Sequence, residues 1–204
     1  MSHDSWVHHI ARVAIVRPLM PTPVTPNQLT TVRLMTGIAA AAMVGAGVTP
    51  WEHIGAAVFV LSVVLDRADG DLARLAGKTS ASGHRYDMIA DAVSNALILI
   101  GLGAGLRGGD FGSWAVPMGF LAGLSVLAIL WTVRRIEEMG GHRAAELPSF
   151  RGFDVDDAVL LIPLFIWLGK AEELLIAAAV IAPLVAVLFF GMFRRELRGK
   201  NAGF

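Results

Sequence analysis

Apolar residues recur along this chain in long runs, broken by short polar or glycine-rich stretches. The runs fall at 29–48, 53–76, 85–106, 112–134, 155–169 and 172–193. A helix crossing a bilayer needs about 20 mostly apolar residues, a length most of these runs reach. The fifth is short, and Asp154, Asp156 and Asp157 crowd its start. Ahead of the first run, Ser5–Val16 places Trp6, Val7, Ile10, Val13 and Ala14 at helical spacing with His and Arg between them. That is the pattern of an amphipathic helix lying on a membrane surface. The chain therefore reads as an all-α integral membrane protein: six transmembrane helices preceded by a short amphipathic N-terminal surface helix at about 5–17, in a single domain over 1–204.

Composition supports the membrane reading and removes several function classes. Hydrophobic residues make up 55% of the chain and charged ones 17%, against roughly 45–50% apolar in soluble domains. The formal net charge of +0 gives no basic face on which to hold nucleic acid. The absence of cysteine removes disulfides, thiolate metal ligands and a cysteine nucleophile. The first 27 residues carry His8, His9, Arg12, Arg17 and four prolines, which is not the shape of a signal peptide.

Charge also predicts orientation. With the N-terminus inside, the outer loops are 49–52, 107–113 and 169–172. Of the 17 Lys and Arg, only Arg107 and Lys170 fall there, which leaves fifteen on or near the inner side. That bias places the N-terminus and the inner loops in the cytoplasm, with the chain in the inner membrane. Trp51, Trp114 and Trp167 then sit at the outer edges, as an aromatic belt requires.

The costliest residues lie where the second and third runs approach each other. Asp66 and Asp69 are three apart, so they share a helix face, and Asp87 and Asp91 are four apart and do the same. A short linker, Leu75–Ser82, folds the two helices back as an antiparallel pair and brings the carboxylates together at their cytoplasmic ends. Carboxylates within membrane helices are expensive and usually face an interior cavity with a partner. Mg²⁺ or Mn²⁺, hard cations that take oxygen ligands and hold phosphates, are the natural counter-charge. The competing structural reading is an ion-pair network with Arg67, Arg74 and Arg85. Gly70 and Gly83 offer places where backbone and substrate approach closely, and Arg74 could reach a phosphate.

The full spacing is D-x-x-D-G-x-x-A-R-x(8)-G-x-x-x-D-x-x-x-D, at Asp66, Asp69, Gly70, Ala73, Arg74, Gly83, Asp87 and Asp91. It resembles the signature of the CDP-alcohol phosphatidyltransferases at all eight fixed positions. Thr25-Pro26-Asn27-Gln28-Leu29-Thr30-Thr31-Val32-Arg33 also looks like that family's entry into its first helix. The resemblance implies that Asp66, Asp69, Asp87 and Asp91 hold one or two Mg²⁺ or Mn²⁺ ions, and that Asp91 is the general base. It implies a cytidine-diphosphate pocket lined by Gly70, Ala73, Arg74 and Gly83, with Asn27 and Thr30 or Thr31 from the first helix. It implies a homodimer that transfers a phosphatidyl group from CDP-diacylglycerol to an alcohol and releases CMP.

The remaining charged positions carry weaker expectations. Arg134, Arg135, Arg143 and Arg151 read either as an acceptor-phosphate site or as topology-setting charge. They tilt the acceptor towards a phosphorylated polar alcohol such as glycerol 3-phosphate or an inositol phosphate; serine, inositol, a lipid alcohol and a CDP-headgroup donor stay open. Arg33 reads as a phosphate contact or as a snorkelling anchor. Asp71, outside the signature, reads as a solvated helix end. Two other functions fit less well. An intramembrane prenyltransferase needs two separated aspartate-rich clusters, and a transporter would spread polar groups through the membrane depth.

Overall fold

The computed structural model describes residues 6–138 and 159–199. Its described elements are helical. The N-terminal segment runs as α1 (Trp6–Ala11), a π-helical stretch at Arg12–Val16 and a short α2 (Arg17–Leu19). Five long helices and one short one follow: α3 (Pro26–Gly45), α4 (Trp51–Leu75), α5 (Ala81–Gly105), α6 (Ala115–Glu138), α7 (Leu161–Trp167) and α8 (Ala171–Gly199).

Local sequence sets the boundaries that matter for the site. Thr25 opens α3 through a capping box: its hydroxyl accepts from the Gln28 N–H at 3.3 Å while its own N–H donates to Gln28 Oε1 at 3.0 Å. Pro26 at the first helical position loses no bond it would otherwise make. The α4–α5 turn uses Gly77 at φ +64°, a left-handed conformation open to glycine. Ser80 then caps α5, accepting from the Gly83 N–H at 3.0 Å.

Three helices, α5 continued to Gly108, α6 with its leading turn (Gly112–Thr132) and α8 (Ala171–Met192), are long and apolar enough to cross a membrane. The protein is a helical membrane protein. The helices α3 and α4, with 20 and 25 residues, have the length, but α3 carries Arg33 among polar neighbours and α4 ends in its acidic stretch. The fifth run of the sequence corresponds, among the described residues, to the seven-residue α7. Asp154, Asp156 and Asp157 lie outside the described residues.

The packing order differs from the sequence reading in one respect. α4 and α5 were expected to pack as a direct antiparallel pair, yet they touch each other little; α3 lies between them and packs along both. Small residues allow this. A Cβ on Gly37 would come within 2.6 Å of Ser94 Oγ, so α3 can lie against α5 only because position 37 is bare. The α5–α6 crossing uses the same device: a Cβ on Gly119 would stand 2.7 Å from the Leu99 carbonyl oxygen and 2.9 Å from Gly103 Cα. α6 then packs on α8, and α7 on α4. The main core gathers Phe59, Ile98, Leu102, Ile166 and Leu175.

The loops 46–50, 106–114 and 168–170 gather at one end of the bundle. Arg107 Nη1 donates to the Gly45 carbonyl at 3.0 Å, Trp167 Nε1 to the His53 carbonyl at 3.3 Å, and the Asp110 N–H to Glu172 at 3.0 Å. Trp51, Trp114 and Trp167 are exposed at that same end. The N-terminal segment sits elsewhere. Its Ala11 and Val16 are buried against Leu65, Ala68 and Leu72 of α4, while Ile10 and Val13 point outward.

Candidate active site

Because α3 is wedged between α4 and α5, the ends of these three helices opposite the Arg107 loop converge on one small volume. Asp66 and Asp69 come from α4 and Asp87 from α5, and one carboxylate oxygen from each lies within 4.8 Å of the others. Asp91 stands beside this trio, held by the amide of Asn95 at 3.0 Å.

The centre of the cluster is Arg33. Its Nη1 lies 2.6 Å from Asp66, 2.6 Å from Asp87 and 3.9 Å from Asp69, and its Nη2 lies 3.1 Å from Asp91. The residue is 1% exposed. A snorkelling anchor would carry its head to the water, so that reading is wrong. α3 instead inserts the guanidinium from the buried side, where one planar fork can serve several carboxylates. Nothing in the position of Arg33 along the first run shows this: it becomes visible only once α3 is known to separate the two acidic helices.

Arg33 also answers part of the question of counter-charge. Arg67 adds a second guanidinium, 3.5 Å from Asp66. With all four carboxylates ionised, these two cations would leave two negative charges, which one divalent ion would cancel. The donor set suits such an ion, being all oxygen. Asp69 Oδ2 is buried without a hydrogen-bond partner among the described residues, and a buried acceptor left in that state asks for a ligand. The ion-pair network and a metal site are therefore not alternatives here. Both use the same carboxylates.

A cleft opens beside the carboxylates. Asn27, Thr30, Gly70, Ala73, Arg74 and Gly83, all expected to face a nucleotide diphosphate, line it together with Asp69 and Asp87. Bare α-carbons shape its floor. A Cβ on Gly83 would meet Ser80 Oγ at 2.9 Å and Asn27 Oδ1 at 3.1 Å, so glycine lets α5 approach α3 there. At Gly70 the protein itself leaves room, the nearest atoms being the Arg74 guanidinium at 3.6 Å. Thr31 departs from expectation. It is exposed on a neighbouring face, bonded to the Asn27 carbonyl at 2.9 Å and the Tyr86 hydroxyl at 3.0 Å, while Thr30 is the threonine that turns to the cleft.

The sequence reading missed Lys78, Thr79, Ser80 and His84, which also line the cleft. The signal was the position of Lys78, Thr79 and Ser80 in the linker between the two halves of the signature, where a tight turn must run along the site, and of His84 next to Gly83. It also misjudged Asp71. That carboxylate is no solvated helix end: it is 2% exposed and paired with Arg12 at 3.3 Å and Arg74 at 2.7 Å. Of the residues expected to hold the acceptor, Arg135 is exposed near the end of α6, and Arg134 shares that turn of helix. Arg143 and Arg151 lie outside the described residues.

Comparison with known proteins agrees with the geometry. A family model described as CDP-alcohol phosphatidyltransferase matches residues 23–184, which contain the cleft and all four aspartates. A curated relative, the bifunctional IPC transferase and DIPP synthase of Rubrobacter xylanophilus, is 30% identical over 126 residues. The match covers 61% of this chain but only 27% of that relative, so the chain corresponds to about a quarter of its length.

Proposed function

The chain belongs to the CDP-alcohol phosphatidyltransferase family, and from that premise we propose that it transfers a phosphatidyl group from CDP-diacylglycerol to the hydroxyl of a phosphorylated polar alcohol, releasing CMP. One observation carries this reading: two members of the carboxylate trio, Asp69 and Asp87, line the cleft that Gly70, Arg74 and Gly83 complete, and Asp66 stands beside them. A site for cations therefore adjoins a site for an anion, which is what a diphosphate donor requires.

Asp66, Asp69 and Asp87, with Asp91 at the side, would hold Mg²⁺ or Mn²⁺. Such an ion supplies positive charge to the donor diphosphate and to the departing CMP. The rest falls to the chain. Asn27, Thr30, Gly70, Ala73, Arg74 and Gly83 seat the cytidine diphosphate, and Thr31 supports Asn27 from behind by bonding its carbonyl. Asp91 takes the proton of the acceptor hydroxyl; geometry favours it, because it lies beside the trio with one oxygen held by Asn95. A new phosphorus–oxygen bond forms to the acceptor as the bond to CMP breaks. Arg134, Arg135, Arg143 and Arg151 supply the acceptor phosphate site.

In this reading the chain is one domain over 1–204 with six spans, its N-terminal segment on the cytoplasmic surface of the inner membrane and its site open to the cytoplasm. It works as a homodimer. The exposed Ile10 and Val13 support the surface placement, the exposed Trp51, Trp114 and Trp167 support placing their end at a membrane interface, and the Lys/Arg bias supports the orientation. The family description, CDP-alcohol phosphatidyltransferase, keeps a second donor class under test, a CDP-linked polar alcohol.

The deciding experiment incubates the purified chain with CDP-diacylglycerol or a CDP-linked polar alcohol and a panel of acceptors, with products identified by mass spectrometry. We expect CMP release with glycerol 3-phosphate or an inositol phosphate and CDP-diacylglycerol, abolished by EDTA and restored by Mg²⁺ or Mn²⁺. Turnover indifferent to chelation would exclude the metal-assisted mechanism. Product from a non-phosphorylated acceptor alone would exclude the proposed acceptor class.

A further inference from the structure

The second buried acidic group, Asp71, has no place in the chemistry above. It lies on α4 between Gly70 and Leu72 and is almost wholly enclosed. Its Oδ1 accepts from Arg74 Nη2 at 2.7 Å and its Oδ2 from Arg12 Nε at 3.3 Å. The two arginines differ in situation. Arg74 is 62% exposed along its side chain and lines the cleft, with its guanidinium lying over bare Gly70. Arg12 comes from the π-helical stretch of the N-terminal segment, far away in sequence, and that segment packs on α4.

A long, exposed arginine has many rotamers, and a ligand that needs one of them must immobilise the rest. A buried carboxylate three residues away removes that cost in advance, because its own position is fixed by burial and by a second charged partner. We propose that Asp71 is a positioning residue for the donor site: it holds the Arg74 guanidinium over Gly70, where the diphosphate of a CDP group docks, and Arg12 holds Asp71. The N-terminal segment is then part of the nucleotide site through one shared carboxylate. The inference rests on the reading of the cleft as the CDP site and names a residue outside the family signature.

The test measures CDP binding by the full chain in detergent with Mn²⁺, by calorimetry. Binding to the wild-type chain is the check on the cleft itself; its absence would overturn the CDP reading on which the inference rests. With wild-type binding in hand, Asp71→Asn and Arg74→Gln should each weaken CDP roughly five- to tenfold. The double variant should be no weaker than Arg74→Gln alone, within about twofold, because Asp71 acts only through Arg74. Independent, multiplying losses would overturn the positioning role, as would wild-type affinity in Asp71→Asn. A merely structural role is separated by cytidine, which lacks phosphate and should bind all variants alike. If Asp71→Asn does not fold, Arg12→Met with Asp71→Met replaces the pair by apolar side chains, a change that buried pairs often tolerate. That protein should show the same loss for CDP, and wild-type affinity from it would overturn the proposal.

Discussion

α3 and α8 invert the usual relation between polarity and depth. α3 buries Thr30 and Arg33 in its first half, while Asn27, Gln28 and Thr31 stay exposed, and it lies between α4 and α5. α8 is unbroken apolar sequence from Ile176 to Phe190, yet only 6% of its spanning window is buried inside the protein. Val187, for example, is 70% exposed. In water this arrangement would be inside out. In a bilayer it is the low-energy one, because hydrocarbon solvates α8 and cannot solvate a guanidinium. The helix that brings a guanidinium into the interior is therefore closely packed on both sides, and the most apolar span is held by the lipid as much as by its neighbours.

Substitutions on the two helices and their partners should separate accordingly. The largest effect belongs to the group that α3 helps to place. Asp91→Asn should retain the fold and CDP binding yet lower CMP release in the presence of acceptor by about 10²–10⁴-fold, the range for loss of a general base. Normal turnover would remove Asp91 from that role. Next comes the centre of α3. Arg33→Met leaves Asp66, Asp69, Asp87 and Asp91 without their shared cation and should cost about 3–5 kcal/mol, read from denaturant unfolding in detergent. A loss below about 1 kcal/mol would show that the cluster does not depend on Arg33.

Smaller effects test the packing half of the comparison. Gly119→Val puts methyl groups against the Leu99 carbonyl and Gly103, so the α5–α6 crossing must open; about 1–3 kcal/mol is expected from thermal unfolding. The smallest effect should come from α8, where Val187→Ala removes two methyl groups from a surface the protein does not cover. A change within about 0.5 kcal/mol is expected. If that variant dissociated a dimer on a sizing column, the exposed face of α8 would be protein-covered in the assembly and the contrast with α3 would narrow.

How much of this was legible beforehand follows from the same contrast. The helices α5, α6 and α8 were readable because a bilayer demands length and apolarity in one continuous stretch. The four aspartates were readable because carboxylates at three- and four-residue spacing share a face whatever surrounds them. Six of the seven residues expected to seat the nucleotide line one cleft. What sequence could not show was which helix neighbours which. Arg33 was misread because its partners are 33 to 58 residues away on two other helices, and Asp71 because Arg12 reaches it from a segment 59 residues earlier. Long-range charge pairing leaves no periodic trace. Thr30 and Thr31, adjacent and alike, were separable only once the rotation of α3 was known.

The central position of α3 has a consequence for how the protein is made. The cleft residues and the four aspartates, from Pro26 to Asp91, lie on α3, α4, α5 and the α4–α5 turn, so a ribosome has made them all by the time α5 has emerged. α6, α7 and α8 arrive afterwards, when every residue of the carboxylate cluster has already been made. Their task is to cover the glycine face of α5 and to present the chain to the bilayer. The carboxylate cluster is thus encoded wholly in the earlier half of the chain, and the later half adds its cover.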